Sequence, residues 1–466
     1  MPPKKVKITQ KDFEQAVQEN INDLGLDEVE AIEEAFKQFE VQGADLSGVS
    51  KKSAGVAGSQ KLGEIKLLIK NIKEKSKAGQ EFTKEIQDLK LLCDEDISNR
   101  VAAGNEGAYT VLLKVLNDSI NNSIKTDVLK ALTSLMTKNP DLLDIEGVKT
   151  IISFLKKNEE SIIKRLTLKW AKQCCVMQEK NRQCFMENDI VAHIKELLET
   201  SESEIQKEVM SLMRALVLDD DVRVEFGNAH EAARIIASET LCSLTALMNK
   251  NQNDEKLVFE LMNTISALMV RSEFCQKVET AGGLELIKKV LTLFSNNEKI
   301  VKQSYKLIKA LAGNDEVKKD LLQSKNIMLA PIIFRSLDNH KGNPSCAAAG
   351  LSAIAALTLR SPENSKILFN AGLPETIVEI MKLYPNDKTV QKSGSWAIRN
   401  MVSRSRDQCG TFLSFGVEEV LQENLIRHKD FEYDTKAALR DLGCKVILTE
   451  QWTGKGGALT TKKTIG

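Results

Sequence analysis

The sequence predicts an all-α fold made of about eight tandem repeats. Three observations indicate this fold: only 5% of the residues are aromatic and 8 are proline, an alanine followed by an aliphatic residue returns along most of the chain, and a glycine precedes several of these copies by half a unit. Few aromatic residues and prolines suit helices and disfavour a β-sandwich. Self-similarity at a fixed period is the signature of a stacked array, so we expect one long array here.

The alanine marker sets the length of the repeat. It falls at Ala131, Ala171, Ala215, Ala267, Ala310, Ala356, Ala397 and Ala438, with gaps of 40, 44, 52, 43, 46, 41 and 41 residues. Alanine lets neighbouring helices approach closely, while the flanking leucines fill the core. The half-unit marker stands at Gly147, Gly282, Gly372 and Gly416, where glycine allows a sharp turn between a short helix and a longer one.

These units resemble the armadillo repeat, which has three helices in about 40 to 47 residues. The resemblance implies an armadillo-type right-handed superhelical solenoid over residues 99–446, with the third helix of each unit lining a concave groove. LDDDVRVEFGNAHEAARII, SEFCQKVETAGGL, GNDEVKKDLL and KAALRDLGCKVILTEQWTG, together with the N-terminal FEQAVQENINDLGLDEVE, are similar to one branch of this family. That similarity runs nearly end to end. It implies a divergent, invertebrate member that is not an enzyme and has no catalytic residues to carry over.

Four segments flank the array. Residues 1–42 form an acidic helical segment, and residues 43–62 are rich in glycine, serine and lysine, which predicts a flexible linker. Residues 63–98 predict helices that cap the open end of the solenoid, and residues 447–466 predict a disordered tail. The acidic segment packs as an end cap, stays free until a partner orders it, or docks on the first repeats and competes with that partner.

A cluster of charged residues, Asp219, Asp220 and Asp221 with nearby His230, raises the possibility of a metal or catalytic site. In repeat register, the aspartates fall at the joint between one unit's last helix and the next unit's first, where acids cap the new helix. The four histidines do not stand at metal-ligand spacing from one another or from cysteine. The sequence therefore predicts capping, with no metal and no cofactor. The unit of 52 residues carries an insertion of about ten residues after His230, placed on a binding face or reflecting variation in packing.

The predicted third helices supply the candidate binding residues. The position before each marker alanine and the position four residues later share one face. This face and its neighbours carry the candidates for a protein-binding groove: Lys130, Trp170, Arg214, Lys309, Trp396, Arg399, Asn400 and Arg440. A solvated helix face is the alternative interpretation of the same row.

Peptide-binding armadillo proteins of the importin-α type carry Trp and Asn at these two positions in several successive repeats. There, Asn side chains hold the backbone of an extended peptide and Trp rings sandwich lysine stems. This chain has the full pair once, as Trp396 with Asn400, while Trp170 lacks its Asn. The pattern therefore disfavours a receptor for basic import signals.

The leading hypothesis is a non-enzymatic interaction scaffold or adaptor. Its groove would bind an extended or helical segment of another protein, with an acidic segment preferred. One alternative is a transport adaptor of the importin-α type. Another is a hydrolase that uses the Asp219–Asp221 and His230 cluster, which would require these groups to converge in one pocket.

Charge and cysteine usage narrow the partners and the compartment. Lysine plus arginine total 65, as do aspartate plus glutamate, so no net charge draws the chain to nucleic acid or to a membrane. Nine scattered cysteines indicate reduced thiols in the cytoplasm or nucleus. Lys4, Lys5 and Lys7 resemble a short nuclear-import signal. We expect a cytoplasmic monomer, with the nucleus as a second compartment.

Overall fold

The structure is a computed structural model that describes residues 6, 8–24, 26–42, 44, 46, 49, 56–156, 159–200, 202–454 and 457–465. The chain divides into two compact units, Met1–Glu239 and Thr240–Gly466. Within the described residues, no helix combines the length and the apolar character needed to cross a membrane. Lys4, Lys5 and Lys7, which suggested an import signal, lie outside these residues.

The first unit contains twelve complete α-helices among its described residues. They are α1 (Gln10–Leu24), α2 (Glu28–Val41), α3 (Val56–Ala78), α4 (Thr83–Glu95), α5 (Ile97–Asn105), α6 (Ala108–Asp118), α7 (Asn122–Met136), α8 (Ile145–Lys156), α9 (Ser161–Cys175), α10 (Glu179–Glu187), α11 (Ile190–Thr200) and α12 (Ser203–Leu216). A 3₁₀ helix, Pro140–Leu142, stands where the second repeat would have its first helix. The third helices α4, α7, α9 and α12 pack side by side in that order.

Helix α13 (Ala229–Lys250) begins in the first unit and ends in the second. It has 22 residues, whereas the corresponding second helices α6 and α11 have 11 each. The predicted insertion after His230 therefore lengthens one helix. The same repeat has no first helix, since residues 217–228 are turns and coil.

The second unit continues with α14 (Glu255–Leu268), α15 (Ser272–Thr280), α16 (Gly283–Leu293), α17 (Glu298–Leu311), α18 (Asp315–Gln323), α19 (Ala330–Asn339), α20 (Pro344–Thr358), α21 (Pro362–Asn370), α22 (Leu373–Leu383), α23 (Lys388–Val402), α24 (Cys409–Ser414), α25 (Val417–Arg427) and α26 (Glu432–Leu442). Two 3₁₀ helices, Arg406–Gln408 and Lys429–Phe431, flank α24 and α25. The third helices α14, α17, α20, α23 and α26 again pack in order. Helical triplets with this stacking are those expected of armadillo repeats.

Two predicted segments differ from the structure. The linker expected over residues 43–62 is shorter, because α3 already begins at Val56 and buries Ile65 and Ile72 completely or nearly so. The residues of that linker that precede Val56 are mostly outside the described part of the chain. The tail expected to be disordered forms an antiparallel hairpin of β1 (Val446–Gly454) and β2 (Gly457–Ile465). Its valine, isoleucine and threonine content favours strands once a partner strand satisfies the backbone.

The N-terminal helices α1 and α2 form a hairpin with a small core of their own. Phe13, Ile32 and Ala35 are buried there, and the rings of Phe13 and Phe36 meet edge to face at 6.0 Å. The Asp27 carboxylate caps α2 by accepting from the backbone N–H of Glu30 at 2.9 Å. The acidic segment is thus folded as a pair of helices around an aromatic cluster.

The glycine marker has two different physical causes. Gly282 and Gly372 adopt φ of 83° and 92° directly before α16 and α22, as expected of a sharp turn. Gly147 lies inside α8 instead, and a Cβ there would collide with the hydroxyl of Tyr109 and come within 2.8 Å of Leu143. The turn predicted at Gly147 is therefore wrong, and its glycine is required for close approach.

Candidate functional site: a lysine-lined cleft

The third helices α17, α20 and α23 enclose a cleft of about 770 Å³ in the second unit. Its walls carry lysines and one tryptophan, while its floor on α20 carries small side chains. The lining residues are Lys302, Lys306 and Lys309 from α17; Pro344, Ser345, Ala348, Ala349 and Ser352 from α20; Lys388, Thr389, Lys392, Ser393 and Trp396 from α23; and Asp387, Asp430 and Phe431 at one end.

Helical spacing explains why these side chains share one surface. On α17, the lysines at positions i, i+4 and i+7 point away from the buried face that contains Val301 and Leu311. On α23, Lys388, Lys392 and Trp396 repeat every four residues and likewise avoid the buried positions. The apolar sides of both helices are used for packing, so the basic sides face the cleft.

Cross-helix hydrogen bonds align the three helices in parallel. Near their N-termini, the Asn343 side chain donates to Glu298 at 2.7 Å, and the Tyr384 hydroxyl donates to the Lys341 carbonyl at 2.9 Å. Near their C-termini, the Asn400 amide donates to the Ala355 carbonyl at 2.8 Å. The walls of the cleft are therefore held in register.

The cleft has an excess of positive charge. Lys388 pairs with Asp430 at 2.6 Å, and Lys302 donates to the uncharged Ser345 hydroxyl at 2.5 Å. In the described part of the chain, Lys306, Lys309 and Lys392 have no carboxylate partner. The ammonium of Lys392 lies 4.9 Å from the centre of the Trp396 ring, in cation–π contact. Mutual repulsion among these cations favours an anionic occupant.

Of the residues predicted to line a groove, Lys309 and Trp396 lie together in this cleft. Trp170 is completely buried in the first unit, so the prediction that it offers an aromatic surface is corrected. The neighbouring helices cover its ring, which the repeat register alone does not reveal. In the same unit, Lys130 is exposed and lies 3.5 Å from Asp127, while Arg214 is half-buried on α12. If the acidic N-terminal segment docks on the first repeats, Lys130 and Arg214 offer it charge, but Trp170 offers no aromatic surface.

The other predicted residues are held by neighbouring groups. Asn400 donates one N–H of its amide to the Ala355 carbonyl in the last turn of α20, so part of its hydrogen-bonding capacity is used within the array. Arg440 donates to Asp441 at 2.9 Å, and Arg399 lies 3.8 Å from the same buried carboxylate. Arg399 also lies 3.6 Å from Asp434. Asn400 and Arg399 therefore link α23 to α20 and to α26, whereas Arg440 contacts the neighbouring carboxylate of its own helix.

Several lining residues were missed by the sequence interpretation. Lys302, Lys306, Lys388 and Lys392 stand one or two turns before the predicted row on the same helix faces. The row used two positions per repeat, the one before the marker alanine and the one four residues later, and therefore sampled only the C-terminal half of each third helix. Extending it backwards in steps of three and four residues would have found them.

The aspartate cluster supports a neighbouring repeat. Asp221 accepts from the backbone N–H of Glu179 at 2.9 Å, at the first residue of α10. Asp220 accepts from Arg182 at 2.6 Å, and Arg223 donates to Asp221 at 2.9 Å. The prediction that these acids cap their own repeat's first helix is wrong, because that helix is absent and the carboxylates reach back to α10.

This network joins two arginines to the carboxylates of Glu179, Asp220 and Asp221, and its centre at Arg182 and Glu179 is buried. Arg182 is 2% exposed and also donates to Glu179 at 2.9 Å. Burial alone would raise the pKa of the Asp221 carboxyl, but hydrogen bonds from Arg223 and from the Glu179 backbone outweigh burial and lower that pKa. The stabilisation is therefore present at neutral pH and is lost as pH falls through the lowered pKa. His230 is exposed on α13. Among the described residues, no three His, Cys, Asp or Glu side chains converge as metal ligands.

The neighbouring carboxyl groups of Glu279 and Asp320 should make the stability of the fold depend on pH. Burial and a hydrogen bond with Asp320 raise the pKa of Glu279 from 4.5 to about 7. Between these values the folded state holds a proton that the unfolded state has lost, so stability falls as pH rises from 4.5 to about 7. Glu279→Gln should therefore raise the unfolding free energy at pH 8 by about 0.5 kcal/mol, since the pair is partly exposed, and have little effect at pH 5.

Thermal melts at both pH values check this prediction. Glu273→Gln, at an exposed position of the same helix, serves as the control and should show no difference between pH 5 and pH 8. An equal effect of Glu279→Gln at both pH values would contradict the assignment of the proton to this pair.

Two family models match this chain. The ARMC6 model matches residues 65–461, and the armadillo repeat-containing protein 6 N-terminal domain matches residues 5–81. The chain belongs to the armadillo repeat-containing protein 6 family. The family resemblance and the all-α armadillo fold class predicted from the sequence are confirmed.

Relatives of the armadillo repeat-containing protein 6 family match almost the whole chain. The armadillo repeat-containing protein 6 homolog of Drosophila melanogaster is 39% identical over 456 residues, covering 96% of this chain and 97% of that protein. Armadillo repeat-containing protein 6 of Homo sapiens is 30% identical over 474 residues, covering 97% and 94%. The predicted invertebrate origin stays a prediction.

Solved structures agree in fold. An engineered protein superposes with a TM-score of 0.54 at 18% identity, covering 82% of this chain and 99% of that one. A chain from a structure on the phosphorylation switch that controls the interaction between cadherin and β-catenin has a TM-score of 0.56 at 15% identity, covering 77% and 65%. At these identities the likeness concerns the fold alone. The fold is consistent with a protein-interaction scaffold.

Proposed function

We propose that this member of the armadillo repeat-containing protein 6 family is a non-enzymatic interaction scaffold whose lysine-lined cleft binds an acidic segment of another protein. One observation carries the proposal: Lys306, Lys309 and Lys392 share a cleft in which no described carboxylate pairs with them. An anionic partner is attracted to cations that line the same cleft and that no carboxylate of the chain neutralises.

Trp396 supplies an anchor beside these charges. Its ring is half-buried and lies under the Lys392 ammonium, so part of its face stays available to a partner. Aromatic side chains at the centre of an interface contribute strongly to binding because they bury a large rigid area. One solved structure of similar fold concerns the interaction between cadherin and β-catenin, which agrees with a role in protein binding.

Two other functions are less well supported. A transport adaptor of the importin-α type would present basic peptides to a wall of lysines, with one N–H of the Asn400 amide already used by Ala355 and with Trp170 buried. A hydrolase would require Asp219–Asp221 to converge with His230. Asp220 is instead paired with Arg182, and Asp221 is paired with Arg223. We further propose a monomer in the cytoplasm, with the nucleus as a second compartment.

Charge reversal tests the proposed function. Lys306→Glu/Lys392→Glu should weaken binding of a fluorescent acidic dodecapeptide about tenfold or more, which corresponds to ~1.4 kcal/mol, by fluorescence anisotropy. The matched control is Lys319→Glu/Lys366→Glu, which makes the same charge change at exposed positions of α18 and α21 outside the cleft lining. Equal affinity of both variants for the acidic peptide would contradict the cleft as the binding site.

A further inference from the structure

We infer that the cleft reads an extended segment with a defined spacing: an acidic cluster, a bulky apolar residue, and one further acidic residue five or six positions from the cluster. This inference rests on the proposed function and adds the order and spacing of the recognised side chains. Three features of the cleft carry it, namely where its charges lie, how wide it is, and what forms its floor.

The unpaired positive charge is divided between two walls. Three lysines, Lys302, Lys306 and Lys309, line the cleft from α17, and none of them pairs with a carboxylate among the described residues. On α23, Lys388 is neutralised by Asp430 at 2.6 Å, so Lys392 is the main unpaired cation of that wall. A segment that matches these charges therefore carries several acidic residues opposite α17 and one acidic residue opposite α23.

The width between these walls sets the spacing. The axes of packed helices lie about 8–10 Å apart. The axes of α17 and α23, with α20 packed between them, are therefore about 16–20 Å apart. An extended chain advances about 3.3 Å per residue, which makes this distance five or six residues. A helix advances only about 1.5 Å per residue and would need more than ten residues for the same distance.

The shape of the cleft favours a segment that crosses the helices. Along α20, the lining runs from Pro344 to Ser352, which at about 1.5 Å per residue is roughly 12 Å. Across the helices, it runs from α17 past α23 to Phe431. The cleft is therefore longer across the three helices than along any one of them, so an extended segment lies across it.

The floor explains the apolar residue in the middle. Ser345, Ala348, Ala349 and Ser352 are all small, and they lie between walls of long side chains. Ala348 is nearly buried, whereas Ala349 is half-exposed. A floor of this kind leaves room for a large side chain, and filling it removes apolar surface from water. The middle of the segment thus contributes a leucine or phenylalanine.

Synthetic peptides test the spacing with the full chain. Fluorescent 14-residue peptides would carry three glutamates, a central leucine and a single glutamate placed two, five, six or ten positions from the cluster. We expect spacings of five and six to bind about tenfold more tightly than two or ten. A peptide of the same composition locked into a helix by a lactam bridge should bind more weakly.

Three variants distinguish the contribution of the floor from that of the walls. Ala349→Leu should weaken the leucine peptide about tenfold but leave a central-alanine version within about twofold, whereas Ala349→Ser should change neither. Lys306→Glu should weaken every acidic peptide. Melting temperatures equal to that of the wild-type chain show that the variants are folded.

The outcomes distinguish this inference from the proposed function. If all acidic peptides bind equally whatever their spacing, and Lys306→Glu weakens them all, the scaffold function stands and the spacing rule is overturned. Tighter binding of the helix-locked peptide would also overturn the rule. If no acidic peptide binds, both the function and the rule fail.

Discussion

Arg182→Ala is expected to lower the free energy of unfolding by about 3–5 kcal/mol, because it removes one partner of a buried ion network. Arg182 donates to Glu179 at 2.9 Å, to Asp220 at 2.6 Å and to the Cys175 carbonyl at 2.8 Å. Without it, Glu179 keeps its charge at 3% exposure with no cation beside it. Urea unfolding followed by circular dichroism measures the loss.

The matched control for this variant is Lys180→Ala on the same helix. Lys180 is exposed, so its removal should change stability by less than about 0.5 kcal/mol. Addition of zinc or magnesium should not restore Arg182→Ala, since the carboxylates are structural. A loss below 1 kcal/mol for Arg182→Ala, or rescue by metal, would contradict the structural role assigned to the aspartate cluster.

Gly147→Ala is expected to cost about 2–4 kcal/mol, the second largest effect. The new methyl group would meet the hydroxyl of Tyr109, a buried residue whose hydroxyl donates to Asp144 at 2.7 Å. Overpacking of this kind costs about 1–3 kcal/mol, and loss of the buried hydrogen bond adds about 1 kcal/mol. Thermal and urea unfolding of the variant check the magnitude.

A double-mutant cycle identifies the cause. Tyr109→Phe removes the hydroxyl, so it should cost less in the Gly147→Ala background than in the wild-type chain. Gly63→Ala in α3 is the opposite control, because a Cβ there meets nothing within 4 Å. Alanine should stabilise that helix by up to about 1 kcal/mol. Additive effects of the first pair would exclude the clash with Tyr109 as the cause.

Part of the cleft could be predicted from the sequence. The lysines of α17 and the Lys388, Lys392 and Trp396 row of α23 follow helical spacing, so an extended pattern search would place each row on one face. The pairing of Lys388 with Asp430, which is 42 residues further along the chain, could not be predicted from the sequence. Only the stacking of consecutive repeats brings such groups together and decides which charges stay unpaired.

The sequence by itself determined the repeat period, the helical class and the left-handed glycines before α16 and α22. These properties depend on local spacing and local backbone conformation, which a sequence carries directly. The tertiary structure alone decided that Trp170 is buried while Trp396 stays half-exposed at the equivalent position. It also decided that Arg223 reaches Asp141, 82 residues away, and that Asp221 supports α10. Burial and long-range pairing depend on which helices pack together, and that is a property of the assembled repeats.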